Sequence, residues 1–155
     1  MKWKTINKIP VDIYVELQKY LHKEDIIFHI GTDAQTAGKN MADFATVIVV
    51  HTVGRGARVF YWKEKKVRVN SLWEKLYGET ERSLRIAIDL TKVFGQDITE
   101  DILVHVDANT DTKYASSNHV KALAGMVIGY GFKHVLKPYA WASSHCADHI
   151  VKNKN

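Results

Sequence analysis

The sequence contains one cysteine and no long apolar run, and each of these scarcities excludes a class of protein. The single cysteine, Cys146, cannot form an intramolecular disulfide, so the fold must be held together by its core. The longest apolar run, around residues 47–50, is far too short to cross a bilayer, and no apolar stretch follows Met1 as it would in a secretory signal peptide. These absences predict a cytoplasmic protein that does not contact the membrane.

The composition is sufficient for one domain. The chain has 155 residues, of which 46% are hydrophobic and 10% aromatic, and a chain of this kind can bury a sizeable core without disulfides or a structural metal. We therefore expect a single domain over residues 1–155. The formal net charge of +5 attracts polyanions and favours nucleic acid as the partner.

The hydrophobic pattern predicts an α/β fold. Helical spacing or capping signals predict helices over residues 10–21, 71–94, 117–130 and 141–151, while runs rich in β-branched residues predict strands over residues 26–33, 43–53, 57–62, 102–107 and 132–136. The three closely spaced strands favour an antiparallel meander, and the later strands alternate with helices, which is typical of parallel pairing. We expect a mixed five-stranded sheet with helices on both faces, in which residues 1–24 add a helical segment to a core over residues 26–152.

Two of the predicted strands end in the same way, with His29-Ile30-Gly31-Thr32-Asp33 and His105-Val106-Asp107. The two-residue period of a strand places each aspartate on the same face as the histidine before it. Neighbouring strands would bring the two carboxylates to one edge of the sheet, where open α/β sheets bind ligands. Close carboxylates repel one another unless cations lie between them, so the pair indicates a site for Mg²⁺ or a similar ion. Either aspartate alone can equally be a turn former or a helix cap.

Four segments together resemble the ribonuclease H-like YkuK family. They are Gly31-Thr32-Asp33-Ala34-Gln35, Glu79 followed by Ser83-Leu84, His105-Val106-Asp107-Ala108-Asn109, and Ala142-Ser143 followed by Ala147-Asp148. The resemblance extends from about residue 26 to residue 152, and its most suggestive local match is the segment over residues 144–150. It implies a ribonuclease H-like fold with four acidic residues that act as metal ligands and catalytic groups, Asp33, Glu79, Asp107 and Asp148. The implied cofactor is Mg²⁺ or Mn²⁺, as two ions.

The helix carboxylate has two candidates, because Glu81 lies two residues after Glu79 and points to a different side of the helix. The small residues Ser83 and Ala87 follow Glu79 at four-residue steps, which suits a helix face packed closely on a sheet. We favour Glu79, and we expect Glu81 to be a solvated charge.

Two histidine pairs and Cys146 are further candidates for a chemical role. His145 and His149 have the four-residue spacing that lets two imidazoles share zinc, but Cys146 stands where a metalloprotease carries its glutamate, so we expect polar helix residues. Cys146 lacks a nucleophile motif, and we assign it no chemistry. His29 and His105 can orient the site or be core histidines with satisfied hydrogen bonds, and we favour the core role.

Positive charge is concentrated around the third predicted strand, in Arg55, Arg58 and Lys63, with Tyr61 and Trp62 interleaved. Basic side chains can neutralise phosphates while aromatic rings stack on unpaired bases, but lysines also protect a sheet edge from pairing with other chains. We predict that these three basic residues contact nucleic acid together with Lys137 and Asn109.

Two hypotheses follow for the function. The first is a metal-dependent nuclease that hydrolyses phosphodiester bonds in RNA, DNA or a hybrid by a two-metal mechanism. The second is a nucleic-acid-binding or assembly module that keeps the fold without turnover.

Overall fold

The fold was described from a computed structural model, which describes residues 1–152 apart from the side chains of residues 143 and 144. The strands within this range are β1 (Trp3–Thr5), β2 (Pro10–Val11), β3 (Ile26–Thr36), β4 (Met41–Thr52), β5 (Gly56–Arg68), β6 (Ile102–Asn109) and β7 (Lys133–Lys137). The α-helices are α1 (Ile13–Gln18), α2 (Leu72–Phe94), α3 (Val120–Gly129) and α4 (Asp148–Lys152). Short 3₁₀ helices span Gln96–Asp101 and Ala115–His119, and a π-helical segment spans Ala142–Ala147.

The strands form one mixed sheet in the order β2-β1-β5-β4-β3-β6-β7. The predicted meander is confirmed, because β4 pairs antiparallel with both β3 and β5. The predicted parallel part is also confirmed, since β6 pairs parallel with β3 and with β7. The predicted number of five strands is wrong, because the sheet has seven strands over the described residues.

The two additional strands come from the N-terminal residues, for which we had predicted a helix and no strand. Trp3 is buried at 5% exposure in the main core, and this anchors β1 beside β5 in antiparallel register, with Lys4 opposite Tyr61. Pro10 lies in the outermost strand, β2, where a residue without an N–H group is tolerated. Helix α1 is shorter than predicted because it begins only after Asp12, whose side chain accepts hydrogen bonds from two backbone N–H groups of the first turn.

Helices cover both faces of the sheet. The larger core lies between the sheet and helices α2 and α3 and includes Phe28, Ile48 and Val104. The π-helical segment and α4 pack on the opposite face, where a smaller core contains Val47, Tyr61 and other residues. Asp33 lies two residues after Gly31 and four after His29, so the three residues share one face of β3. This is the face of the smaller core, because Asp33 pairs with Ala45 of that core.

Helix α2 has nearly the predicted bounds. The Ser71 hydroxyl accepts a hydrogen bond from the N–H of Glu74 at 3.1 Å, and the helix ends before Gly95, which has a φ of +98°. The two later helices differ from the prediction because each begins in another helix type, a 3₁₀ helix before α3 and a π-helical segment before α4. Within the described part of the chain, no helix is both long and apolar enough to span a membrane.

The strands that carry the two aspartates are longer than predicted. Strand β3 continues to Thr36 and β6 continues to Asn109, so neither Asp33 nor Asp107 is the last residue of its strand. The prediction that each aspartate ends its strand is therefore wrong. Pairing with Ala45 fixes Asp33 within the sheet, whereas Asp107 belongs to β6 but lies between its paired residues Val106 and Asn109.

Candidate metal centre

Asp33 lies in β3, an interior strand of the sheet between β4 and β6, and is 5% exposed. Its neighbour across the antiparallel pair is Ala45 of β4, which is buried in the smaller core. On the other side, β6 runs parallel with His29 beside Leu103, and continuing this register places Asp33 beside Asp107. The sheet therefore brings together the two aspartates that the sequence pattern paired.

Asp107 lies where the pairing between β6 and β7 is interrupted, because the register shifts between Val106 and Asn109. Such irregularities redirect side chains and are common next to functional sites. Beyond the shift, Asn109 pairs with Lys137, and the Lys137 ammonium lies 2.8 Å from Oδ1 of Asp107. The side chain of Asp107 is 7% exposed, so this ion pair is largely shielded from water on the aspartate side.

Glu79 approaches the aspartates from helix α2 and is 2% exposed. Its Oε2 accepts a hydrogen bond from the backbone N–H of Ala34 at 2.8 Å, which fixes the carboxylate beside Asp33. One turn further, the hydroxyls of Ser83 and Thr32 lie 2.7 Å apart and hold the helix close to β3. The preceding Gly78 also permits this approach, because a Cβ atom there would lie 3.1 Å from the ring of Phe44.

Three carboxylates converge as a result. One oxygen from each of Asp33, Glu79 and Asp107 lies within 4.8 Å of the others. Asp148, at the start of α4, shares a side-chain hydrogen bond with Asp33, and its side chain is 30% exposed. The first three acids thus form the buried part of the cluster, and Asp148 lies on its solvent side.

Burial and crowding change the protonation of the cluster. Burial raises the pKa of Asp33 from 3.8 to about 7, and the hydrogen bond with Asp148 adds to the rise. Burial also raises the pKa of Glu79 well above its ordinary value, although Lys75 opposes the shift. Burial acts in the same direction on Asp148, but hydrogen bonds with Asp33 and Lys152 outweigh it and lower the pKa of that carboxyl. The cluster therefore binds protons near neutral pH when no other cation compensates its charge.

Lysines provide part of that compensation. Besides Lys137 on Asp107, Lys75 Nζ lies 3.9 Å from Oε2 of Glu79, and Lys152 Nζ lies 3.0 Å from Oδ2 of Asp148. Sequence reasoning did not identify Lys75 or Lys152. Their signal was present, since each lysine is four residues from its acid, the spacing that brings side chains together on a helix.

The donor set fits a hard divalent cation. Mg²⁺ and Mn²⁺ prefer carboxylate oxygens, and the three buried acids offer oxygens close enough together to share one ion. Oε1 of Glu79 is buried and has no hydrogen-bond partner among the described residues, so it remains available as a ligand. An unpaired buried oxygen of this kind is costly unless something binds it.

A buried histidine pair lies behind the carboxylates on the same face. The N–H of Ala142 donates to Nδ1 of His105 at 3.2 Å, so the proton of the neutral ring is on Nε2, which lies 2.9 Å from Nδ1 of His29. The Trp141 ring packs on both imidazoles, with centroid separations of 4.5 and 4.9 Å. Burial lowers the pKa of His29 to about 4 and that of His105 to about 3. Both rings are therefore neutral and buried, and they tie the C-terminal segment to the sheet. The burial agrees with the core role that we favoured, but the expected hydrogen bonding is incomplete, because Nε2 of His29 has no partner among the described residues.

The residues predicted to contact nucleic acid separate into two groups. Lys137 and Asn109 lie at the carboxylates, and Lys63 shares a row of the sheet with Asp33, because Ala45 pairs with both residues. Arg58 is opposite Val50, and Arg55 lines a cavity of about 610 Å³ with Lys23 and other residues. The structure therefore places the two arginines at the opposite end of the sheet, about 17 Å from Asp33 along the strands.

The remaining candidates lie outside the cluster. Glu81 pairs with Arg85 on the surface of α2, as expected for a solvated charge, and the side chain of Glu81 is 38% exposed. His145 and His149 are exposed, and among the described side chains only the three buried acids form a group that could hold a metal ion. Burial raises the pKa of the Cys146 thiol, which disfavours the reactive thiolate. Ser143 and Ser144, part of the C-terminal family pattern, lie outside the described side chains.

Comparisons with known proteins identify the family. A family model described as Ribonuclease H-like matches residues 12–152. Searches of curated proteins and of solved structures gave no significant match. The matched range includes all four acids and leaves out β1 and β2. The chain therefore belongs to the ribonuclease H-like family, as the sequence resemblance predicted.

Proposed function

We propose that this protein is a divalent-metal-dependent nuclease that hydrolyses phosphodiester bonds in nucleic acid. The observation that carries the proposal is the convergence of Asp33, Glu79 and Asp107 within 4.8 Å on a ribonuclease H-like chain. Carboxylates are rarely buried together without a cation, and the net charge of +5 favours a polyanionic substrate.

The four acids would bind the metal from different sides of the site, according to how deeply each is buried. Asp33 and Glu79 form the enclosed side, where the Ala34 N–H fixes Oε2 of Glu79 and leaves Oε1 free to bind. Asp148 completes the set on the side that faces solvent, from which the substrate enters. When bound, two Mg²⁺ or Mn²⁺ ions would supply activation of the attacking water and stabilisation of the leaving oxygen.

The chain's own lysines would act on the substrate. Lys137 is 38% exposed, so its ammonium can leave Oδ1 of Asp107 and reach a phosphate oxygen at the mouth of the site. The ammonium stays protonated there. Burial lowers the pKa of Lys137, but the hydrogen bond with Asp107 outweighs this effect and raises it. Asn109 lies at the same edge, where its side-chain oxygen accepts a hydrogen bond from the N–H of Asp111 at 2.9 Å and its backbone N–H donates to the Ser116 hydroxyl at 3.1 Å. Its side-chain N–H groups would be the donors to a phosphate.

Cleavage of labelled RNA, DNA and RNA–DNA hybrid with Mn²⁺ or Mg²⁺ tests this proposal. The protein should cut at least one substrate, and Asp33→Asn and Asp107→Asn should each reduce the rate by a factor on the order of a hundred or more. Asp97→Asn is the matched control, because Asp97 is exposed and lies outside the cluster. No cutting of any substrate by the protein, or equal cutting by all variants, contradicts the proposal.

A second candidate function is a nucleic-acid-binding or assembly module without turnover. The observation that favours it is the set of ion pairs from Lys75, Lys137 and Lys152, which already offset part of the negative charge of the cluster. A module of this kind would bind nucleic acid with the same affinity in the presence of EDTA or Mn²⁺ and would leave it intact.

A further inference from the structure

Four lysines form a basic strip beside the carboxylate cluster. The strip consists of Lys63 and Lys65 on β5, Lys4 on β1 and Lys8 in the turn between β1 and β2. Lys4 and Lys8 precede residue 12, where the match to the family begins. Half of the strip is thus contributed by an N-terminal hairpin that lies outside the matched range.

Strand pairing places the strip on the same face of the sheet as the acids. Asp33 pairs with Ala45 and Ala45 pairs with Lys63, so the three residues form one row across β3, β4 and β5. Directly paired residues point to the same face, and two steps between strands separate Asp33 from Lys63 by about 10 Å between Cα atoms. Lys4 is opposite Tyr61, two residues before Lys63, and therefore lies on this face as well.

The lysines are close enough to repel one another. Burial lowers the pKa of the half-buried Lys63, and Lys65, Lys8 and Lys4 lower it further, while Asp43 acts in the opposite direction. Like charges gathered in this way destabilise the free protein and favour binding of an anion. The anion should carry repeated charges, since the four lysines are spread over β5, β1 and the turn after β1.

We propose that the basic strip binds the phosphates of one nucleic-acid strand and leads that strand to the carboxylate cluster. This inference rests on the proposed function of the same face. The distance from Asp33 to β1 is about 14 Å, which corresponds to at most about four nucleotides, because the rise of about 3.4 Å per nucleotide applies to a strand in a duplex and a single strand can be more extended. The N-terminal hairpin thereby extends the binding surface beyond the part of the chain that matches the family.

Recognition on the strip should depend on the backbone and not on the bases. Tyr61 is 7% exposed and packs in the smaller core, and Trp62 packs against the larger core on the other face. Neither ring can stack on a base above the strip. The expected partner is therefore a nucleic-acid strand of any base composition.

Fluorescence anisotropy with a labelled single-stranded 20-mer, measured in EDTA over a range of salt concentrations, tests the inference. The double variants Lys63→Gln/Lys65→Gln and Lys4→Gln/Lys8→Gln should each make the slope of log K against log[salt] shallower by about 1.4, because about 0.7 is expected per phosphate contact. Affinity at 0.1 M salt should fall about tenfold or more for each double variant. Lys121→Gln/Lys133→Gln is the control of equal charge, since both lysines are exposed and lie on α3 and at the start of β7.

A folding defect is excluded if each variant unfolds at the same midpoint temperature as the unmodified protein. If the two strip variants bind like the control variant, the inference is overturned, even if the protein proves to be a nuclease. If they bind more weakly than the control while the protein cuts no substrate, the inference holds and the nuclease proposal fails. Because EDTA removes metal from the assay, the two results are independent.

Discussion

The ammonium of Lys137 lies 2.8 Å from Oδ1 of Asp107. An internal cation therefore occupies one of the oxygens that a divalent ion would bind, and binding of the ion requires Lys137 to move away. Its side chain is 38% exposed and follows the register shift between β6 and β7, so it has space to move toward solvent. Metal binding and release of this lysine should be coupled.

Replacing Lys137 by methionine should strengthen metal binding. Lys137→Met removes the competing ammonium and keeps the length of the side chain, and Mn²⁺ should bind roughly fivefold more tightly, as expected for an ion pair of about 1 kcal/mol. Cleavage should nevertheless become slower, because the charge that we place on the substrate phosphate is lost. Isothermal titration calorimetry and a cleavage assay on the same preparation measure the two effects.

Lys133→Met provides the control for this variant. Lys133 lies in the same strand, but it pairs with Glu100 away from the cluster, so the control should leave both measurements unchanged. Weaker Mn²⁺ binding by Lys137→Met would contradict the proposed competition and would indicate that the lysine only supports the local fold.

Asp33→Asn should stabilise the metal-free protein at high pH. The pKa of this carboxyl is about 7 in the folded protein and about 3.8 in its ordinary environment, so the folded state holds a proton that the unfolded state releases between these values. Its contribution to stability therefore falls as the pH rises from about 4 to about 7. Asparagine mimics the protonated acid and can donate to Asp148 at every pH. Urea unfolding in EDTA should show a gain for the variant at pH 8 that is smaller at pH 5.

Asp97→Asn serves again as the reference, because its carboxyl is exposed. Equal stability changes for Asp33→Asn at pH 5 and pH 8 would contradict the inferred proton on the cluster. A gain at pH 8 that disappears when Mn²⁺ is added to both proteins would support the view that the cation replaces this proton.

The two glutamates of α2 provide a matched pair of variants. Glu79 is 2% exposed and its oxygen is within 4.8 Å of the aspartates, whereas Glu81 pairs with Arg85 at the surface. Mn²⁺ at about a hundred times its dissociation constant should stabilise the protein by about 2.7 kcal/mol, and Glu79→Gln should lose most of this gain. Glu81→Gln should retain it. Thermal unfolding with and without Mn²⁺ measures the difference, and equal behaviour of the two variants would remove Glu79 from the ligand set.

The sequence was sufficient to predict the centre of the sheet and the convergence of its acids. The repeated strand pattern before Asp33 and Asp107 identified the two aspartates, because side-chain alternation follows directly from strand geometry. The spacing of Ser83 behind Glu79 favoured that residue over Glu81 for an equally direct reason, since close packing needs small side chains. The structure agrees with both arguments, with Ser83 2.7 Å from Thr32.

Other features could not be predicted because they depend on contacts between distant residues. Strands β1 and β2 have three and two residues, which is too short for a periodic pattern, and β1 is held by the burial of Trp3 in a core assembled from the whole chain. The positions of Arg55 and Arg58 relative to the acids follow from strand direction and register, which charge content does not reveal. Lys63 was indistinguishable from the two arginines for the same reason.

The histidine pair predicts a second dependence on pH, opposite in sign to that of Asp33. The pKa of His105 is lowered to about 3 by burial, so between about pH 6.5 and pH 3 the unfolded state binds a proton that the folded state excludes. The stability contributed by the neutral ring is complete above pH 6.5 and is lost as the pH falls through this range.

His105→Asn keeps an acceptor for the Ala142 N–H and does not titrate. The stability advantage of the unmodified protein over this variant should therefore shrink by about 2 kcal/mol between pH 6.5 and pH 5, at about 1.36 kcal/mol per unit. Comparing the two proteins by urea unfolding cancels the contributions of the carboxylates, which titrate in both. Parallel stability curves would mean that His105 accepts a proton within the folded protein, and the hydrogen bond from Ala142 to Nδ1 could then not persist at low pH.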